Sequence, residues 1–288
     1  MPNIKDAVVV ITGAGSGIGQ ALAVELEKLG ARLALADVDD AGLQQTLGLL
    51  ASSNAQSNPR TYHVDVSDAA AVEAFAAHVG QDFGSVSVLM NNAGVALHGS
   101  FADITLAEFD WLMKINFWGV IHGCKFFLPL LQRAPSARIV NISSVFGLIG
   151  PPGQTAYSAS KFAIRGFSES LREELRSSGI RVTCVHPAGI ATSIALKARA
   201  GVHTHTDDQA LALKIFAKAA RITKEEAART IVGGILKNKD RILIGGDAYR
   251  MDRMARLFPA RAGAMFADYM AKRRQKLIGK QPETPKKP

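Results

Sequence analysis

The amino-acid sequence predicts an α/β protein built on one parallel sheet that helices cover on both faces. Two observations carry this. Strand and helix signals alternate regularly over about the first 190 residues. The strands are also continuous apolar runs such as Ala7-Val8-Val9-Val10-Ile11-Thr12, the pattern of a strand buried on both sides. At 288 residues, 48% of them apolar and 20% charged, the chain is globular and can bury a large core. No Ser/Gly-rich linker divides it, and no repeat exists beyond the β-α alternation. The expected organisation is one domain over residues 1–248, with a seven-stranded sheet, and a helical C-terminal extension over 249–288.

In order, the first strand is Ala7–Thr12, and a helix follows from Gly17 to Gly30, with Ile18, Ala21, Leu22, Leu26 and Leu29 at helical spacing. Arg32–Asp37 is the second strand, and a helix then reaches about Leu50. Tyr62–Asp65 is the third strand, Asp68–Phe83 the third helix and Val86–Asn91 the fourth strand. A long helix covers about Glu108 to Gln132, where Pro129 ends or bends it. Arg138–Ile142 is the fifth strand. It leads through a Gly/Pro-rich loop into a helix that carries Tyr157 and runs to about Ser178. Arg181–His186 is the sixth strand, stopped by Pro187. The rhythm then fails over 193–222, which reads as a partly helical flap. Thr223 followed by Glu226 is a capping box opening a helix to Asn238, and Arg241–Gly245 is the seventh strand. From Asp247 to Gly279, apolar positions alternate with Arg and Lys at helical spacing, and Pro259 divides the stretch into two helices. Residues 280–288 read as disordered.

Charge is unevenly placed. Residues 249–288 hold eleven Lys or Arg against three acids, which is +8 of the total +9, so the body is close to neutral. The basic character therefore belongs to the tail and gives no sign of a nucleic-acid-binding body, and no nucleic-acid partner is expected. The basic helices of the extension pack on the body or a second subunit, or else make weak peripheral contact with anionic lipid. No apolar run reaches the ~18 residues of a membrane span, and the N-terminus lacks a signal-peptide layout. Cys124 and Cys184 fall in a predicted helix and strand and read as buried free thiols of a reducing, cytoplasmic compartment. His203 and His205 lie in a polar loop near Asp207 and Asp208, and the reading there is a solvated loop with no metal.

Two stretches carry chemistry. Thr12-Gly13-Ala14-Gly15-Ser16-Gly17-Ile18-Gly19 joins the first strand to the first helix. Glycines there permit a tight turn, close approach of a pyrophosphate and close helix–sheet packing, with the phosphates on helix N-terminal N–H groups. Asp37 ends the second strand, 18 residues past Gly19. A carboxylate at that place accepts ribose hydroxyls and repels a 2′-phosphate, which favours NAD over NADP. The second stretch holds Tyr157 and Lys161, four apart on one helix face. A phenol titrates near ~10, and a neighbouring ammonium lowers that value toward the range of acid–base catalysis.

Taken together, Thr12-Gly13-x-x-x-Gly17-Ile18-Gly19, Asp65, Asn91-Asn92-Ala93-Gly94, Asn116, Ser144, Tyr157-x-x-x-Lys161 and Pro187 resemble the short-chain dehydrogenase/reductase family across about residues 4–248. The resemblance implies a doubly wound Rossmann fold, often dimeric or tetrameric, that oxidises alcohols or reduces carbonyls with NAD(P). It implies Tyr157 as the acid/base and Ser144 as hydrogen-bond partner of the substrate oxygen. Lys161 would hold the nicotinamide ribose and depress the phenol pKa, and Asn116 would hold a water linking Lys161 to solvent. Asp65 and Val66 would lie at the adenine, and Asn91, Asn92, Ala93 and Gly94 would wall the ribose. The turn after the sixth strand is Pro187-Ala188-Gly189-Ile190-Ala191-Thr192, with Ala188 where the family has glycine; Ile190 and Thr192 still fit the carboxamide.

Residues beyond the fourth, fifth and sixth strands line the pocket by the rule that ligands sit outside the carboxyl ends of parallel strands. Val95, Leu97, Val145, Phe146, Leu148, Ile149, Ile190 and Ile194 make that set apolar, with His98 its polar member. The expected substrate is an apolar secondary alcohol or ketone. Competing readings are an NADPH-dependent carbonyl or 3-oxoacyl reductase and a non-catalytic dinucleotide sensor.

Overall fold

The computed structural model describes residues 4–51, 58–192, 194, 197–205 and 220–278. Seven parallel strands form the sheet: β1 (Val8–Thr12), β2 (Arg32–Asp37), β3 (Arg60–His63), β4 (Val88–Asn91), β5 (Ala137–Ile142), β6 (Ile180–Pro187) and β7 (Arg241–Ile244). Their order across the sheet is β3-β2-β1-β4-β5-β6-β7, so the winding reverses between β1 and β4. That reversal opens a crevice at the carboxyl ends of the strands, where such sheets bind ligands.

The residues of β1 explain the two layers. Val9 and Ile11 enter one core with Leu22 and Leu26 of α1 (Gly17–Glu27), Leu43 and Leu50 of α2 (Asp40–Ala51), and Ile231 and Ile235 of α7 (Lys224–Leu236). Val8 and Val10 enter the opposite core with Phe75 and Val79 of α3 (Ala69–Phe83), Phe127 of α5 (Gly119–Gln132) and Ile164 of α6 (Thr155–Glu174). Alternate side chains of one strand thus feed two cores, each fully buried Val, Leu, Ile or Phe contributing roughly 1.5–3 kcal/mol. Cys124 and Cys184 are free and buried. No helix among the described residues is long and apolar enough to cross a membrane.

Several expected bounds shift: α1 ends at Glu27 rather than Gly30, and β4 begins at Val88 rather than Val86. β3 begins and ends two residues earlier than Tyr62–Asp65, leaving Asp65 in the following turn. The Tyr157 helix stops at Glu174 rather than Ser178. The long helix is broken in the middle: α4 (Leu106–Met113) passes into a π-turn over Lys114–Trp118 and then α5. Pro129 lies inside α5, and the helix continues three residues past it to Gln132. Thr223 makes the capping box with Glu226. Of the flap, residues 199–200 pair with 97–98, while 206–219 lie outside the described residues, as do 280–288.

Pro259 separates α8 (Gly246–Leu257) from α9 (Ala262–Ile278). Their inner face packs on the body: Ala262 and Phe266 are buried against Ile149, with Phe146, Met251 and Met254 beside them.

Candidate active site

The glycine loop closes over a cluster of backbone contacts. Gly13 and Gly17 have φ of +67° and +55°, which disfavours a side chain. A Cβ on Gly19 would stand 2.1 Å from the Gly13 carbonyl oxygen. Asn92 ties the loop to β4, its Nδ2 donating to the Thr12 and Gly13 carbonyls at 2.9 and 3.1 Å. The Thr12 hydroxyl accepts from the N–H groups of Asn92 and Ala93, both at 3.1 Å. Ser16 is the N-cap of α1 and makes no side-chain cap bond, so the first-turn N–H groups of α1 keep their donor capacity toward the crevice. At the rim, Asp37 accepts from the N–H of Gly15 at 2.8 Å and of Asp39 at 3.0 Å. Thr192 faces the loop from across the crevice, its Cβ 3.5 Å from where a Gly17 side chain would begin.

Asp65 is exposed and folds onto its own turn, its Oδ1 accepting from the Ser67 N–H and hydroxyl, while Val66 is buried. Asn91 departs from the expected ribose wall. It is buried on the face of the sheet that α5 covers, where its Nδ2 donates to Asn141 Oδ1 at 2.9 Å and to Cys124 Sγ at 3.3 Å. Pro187 and Ile190 lie buried at the end of β6.

The second cluster comes from four segments. β5 ends at Ile142, whose carbonyl accepts from Lys161 Nζ at 3.1 Å. Lys161 is buried, and its ammonium lies 5.5 Å from the centre of the Tyr157 ring. A Cβ on Gly94 would stand 3.5 Å from that ammonium and 3.1 Å from Asn116 Oδ1, so a side chain here would crowd the Asn116 amide. Asn116 sits in the π-turn, fully buried. Its Oδ1 accepts from the Val95 N–H at 2.8 Å, and its Nδ2 donates to the Val95 carbonyl and to Ser160 Oγ. A π-turn displaces one residue's phase, and that displacement points the Asn116 amide inward. The neighbouring serines separate cleanly: Ser143 Oγ donates to the Lys161 carbonyl at 2.8 Å, whereas the Ser144 hydroxyl lies against the Tyr157 phenol.

Burial dominates the electrostatics. It pushes the Tyr157 phenol above its ordinary value, opposed by the Ser144 hydrogen bond, and it pulls the Lys161 ammonium down to about 8. This departs from the expectation that the cation lowers the phenol. The ammonium is placed over the ring and bonded to Ile142, and low dielectric disfavours both charges.

Sequence reasoning missed His186 and Ser160. His186 is fully buried beneath the site, with Nδ1 3.1 Å from the Ser144 carbonyl oxygen. Burial pulls the ring down to about 4, so at neutral pH it is an uncharged donor to that carbonyl. The strand gave no local signal for it, because Arg181 and Thr183 also interrupt its apolar residues. Ser160 links Asn116 to the Tyr157 carbonyl, to which its hydroxyl donates at 2.7 Å.

Among pocket residues, Phe146 meets the Tyr157 ring edge-on with centroids 6.3 Å apart, and Val95 packs beside Tyr157 in the same small cluster. Leu97 is a core residue instead, 2% exposed and packed with Leu112 and Ala156, since its strand pairs with residues 199–200. Val145, Leu148 and Ile149 are buried, and Ile194 is partly exposed. His98 Nδ1 lies 3.1 Å from Gln154 Nε2. Among the described residues, no three His, Cys, Asp or Glu side chains group as metal ligands.

Comparison with known proteins agrees with this arrangement. The family model for short chain dehydrogenases matches residues 7–203. The putative oxidoreductase SadH of Mycobacterium tuberculosis is 41% identical over 274 residues, covering 94% of this chain and 98% of that protein. Dehydrogenase/reductase SDR family member 7B of Xenopus tropicalis is 32% identical, covering 95% and 87%. A short-chain dehydrogenase/reductase from Burkholderia phymatum, solved in complex with NAD, superposes with a TM-score of 0.81 at 29% identity over the whole of both chains. Levodione reductase superposes with a TM-score of 0.74 at 29% identity, covering 85% of this chain and 98% of that one. By its sheet order, its glycine crevice and these relatives, the chain belongs to the short-chain dehydrogenase/reductase family of oxidoreductases.

Proposed function

We propose that this oxidoreductase interconverts an apolar secondary alcohol and its ketone using NAD(H), with Tyr157 as the general acid/base. The observation that carries the reading is the meeting of Ser144, Tyr157 and Lys161 at the carboxyl end of β5.

The crevice fits a nicotinamide dinucleotide because the uncapped first turn of α1 and the loop of Gly13, Gly15, Ser16, Gly17, Ile18 and Gly19 offer N–H groups to a pyrophosphate. Asp37, held by two N–H donors, is the ribose acceptor that favours NAD over NADP. Asp65 and Val66 would hold the adenine; Asn92, Ala93 and Gly94 the ribose wall; Tyr157 and Lys161 the second ribose; and Pro187, Ile190 and Thr192 the carboxamide. When bound, the dinucleotide supplies the hydride acceptor or donor.

The chain's own residues manage the proton and the oxygen. The Ser144 hydroxyl orients the substrate oxygen beside the phenol. Burial keeps the Tyr157 proton in place at neutral pH, the form that donates to a carbonyl in reduction. In oxidation the phenolate takes the alcohol proton, and Lys161 supplies the positive charge that stabilises it. Phe146 and Val95 make the wall beside the phenol apolar, and this supports an apolar substrate. Exposed Trp118, at the end of the π-turn, and Phe162 of α6 support a homodimer or homotetramer, which sedimentation equilibrium tests.

A screen for NADH formation across secondary alcohols, sterols, diols and long-chain alcohols tests the activity. NAD binding without turnover of any of them would leave a sensor. Comparing kcat/KM for NAD and NADP tests the cofactor, and a preference for NADP by about tenfold overturns the role given to Asp37.

A further inference from the structure

We propose that the α8–α9 hairpin is a membrane-docking face that seats the enzyme on an anionic lipid surface. The proposal rests on the apolar-substrate reading only for its purpose, since vesicle binding is measured without turnover.

The hairpin has two faces. The inner one holds Phe266, 6.1 Å from Phe146, which in turn meets Tyr157. The outer one exposes large apolar groups. Leu257 is 71% exposed and Phe258 49%, adjacent at the corner between the helices, with Tyr249, Met265 and Tyr269 also exposed. Cations are interleaved with them: Arg250, Arg253, Arg256, Arg261 and Lys272 are all exposed. Arg261, in the turn just before α9, and Met265, Tyr269 and Lys272 on it recur at spacings of three or four, so they share one stripe.

The acids facing outward are Asp247, which lies 3.6 Å from Arg250, and Asp268. Asp252 pairs with Arg241 of β7, which anchors the hairpin to the sheet, and also accepts from Arg256 Nε at 3.1 Å, so Arg253, Arg261 and Lys272 are the exposed cations for which no acid partner is seen among the described residues. An apolar corner flanked by Arg256 and Arg261, with tyrosines one step back, combines the two signals that peripheral attachment needs: apolar insertion and attraction to anionic headgroups. A protein partner with an apolar patch would be served by the corner, but it gives no reason for cations over the whole face. The charge pattern selects anionic lipid. Docked this way, the enzyme holds the Phe146 wall of its pocket just beneath the lipid, the phase into which an apolar alcohol partitions.

The experiment is co-flotation of the full chain with vesicles of phosphatidylcholine alone or mixed with phosphatidylglycerol. Binding is expected on the mixed vesicles at low salt and is expected to fall steeply as salt rises, because screening shortens the attraction to about 10 Å at 0.1 M. Arg253→Glu with Arg261→Glu lowers that binding by at least tenfold, each cation near such a surface being worth about fivefold. Leu257→Ser with Phe258→Ser lowers it as well and leaves turnover of a short, water-soluble alcohol unchanged. No flotation of the wild type overturns the proposal. So does equal binding to the uncharged vesicles, or a wild type that stays off vesicles and self-associates through Leu257 and Phe258.

Discussion

Replacing Gly19 by alanine should loosen the dinucleotide and leave the fold standing. The new Cβ would lie 2.1 Å from the Gly13 carbonyl oxygen and 2.6 Å from Asn92 Nδ2. The first neighbour is backbone, and the second is the amide that staples the loop to β4, so neither can step aside locally. Relief requires α1 to retreat from the loop by about 1 Å, and a misplacement of that size costs on the order of 10²-fold where geometry matters. Overpacking of one methyl also costs roughly 1–3 kcal/mol of stability, a partial loss for a domain of this size. Titrating NADH by its fluorescence on wild type and Gly19→Ala, beside thermal melts of both, separates the terms. The expected result is a Kd for NADH raised about 100-fold with a melting point only a few degrees lower. An unchanged Kd would show that the loop does not approach the pyrophosphate and would refute the reasoning.

Tyr157→Phe removes the proton donor while keeping the ring against Phe146, so kcat should fall at least ~10²-fold with NADH binding little changed; near-normal turnover would sink the assignment. His186 titrates near ~6.5 in an unfolded chain and near about 4 in the fold, so between those values the unfolded state binds the extra proton. Stability therefore declines as pH falls from about 6.5 to about 4, by an amount on the order of 3 kcal/mol, and this contribution levels off below. His186→Asn keeps an amide donor for the Ser144 carbonyl but cannot titrate, so its melting temperature should decline less steeply over that window; identical slopes would remove His186 as the cause. Burial pushes the Cys124 thiol up to about 12 and Cys184 to about 11, so neither should react with a disulfide reagent at pH 8 until denaturant is added. Rapid labelling of the native protein would contradict their placement.

Most of the fold was legible in the sequence because it rests on local patterns. Apolar runs marked six of the seven strands, β3 with its Arg60-Thr61-Tyr62-His63 being the exception, and the Gly13–Gly19 loop, the Thr223 capping box and the Pro259 break each have a local chemical cause. What escaped depended on partners distant in the chain. Nothing near Leu97 announces that it pairs with Arg199 and faces Leu112, so it passed for a pocket residue. The direction of the Tyr157 shift was misjudged for the same reason. Spacing places Lys161 on the right helix face, but the carbonyl of Ile142, 19 residues earlier, decides where its ammonium rests. His186 was invisible as a functional residue, since its meaning lies in the Ser144 carbonyl 42 positions away.

The five-residue turn over Lys114–Trp118 has a bearing on which genetic changes this enzyme can tolerate. A residue inserted into a helix rotates everything after it by about 100°. Losing one residue there would restore a regular helix and improve its local geometry, yet it would swing Gly123, Cys124 and Phe127 off the sheet. Gly123 lies so close to Asn91 that a Cβ on it would come 2.2 Å from the amide oxygen, and the rotation would bring a neighbour with a side chain toward that spot. Single-codon deletions in this turn should therefore be more damaging than most point substitutions, and a library built to straighten the helix would select against activity.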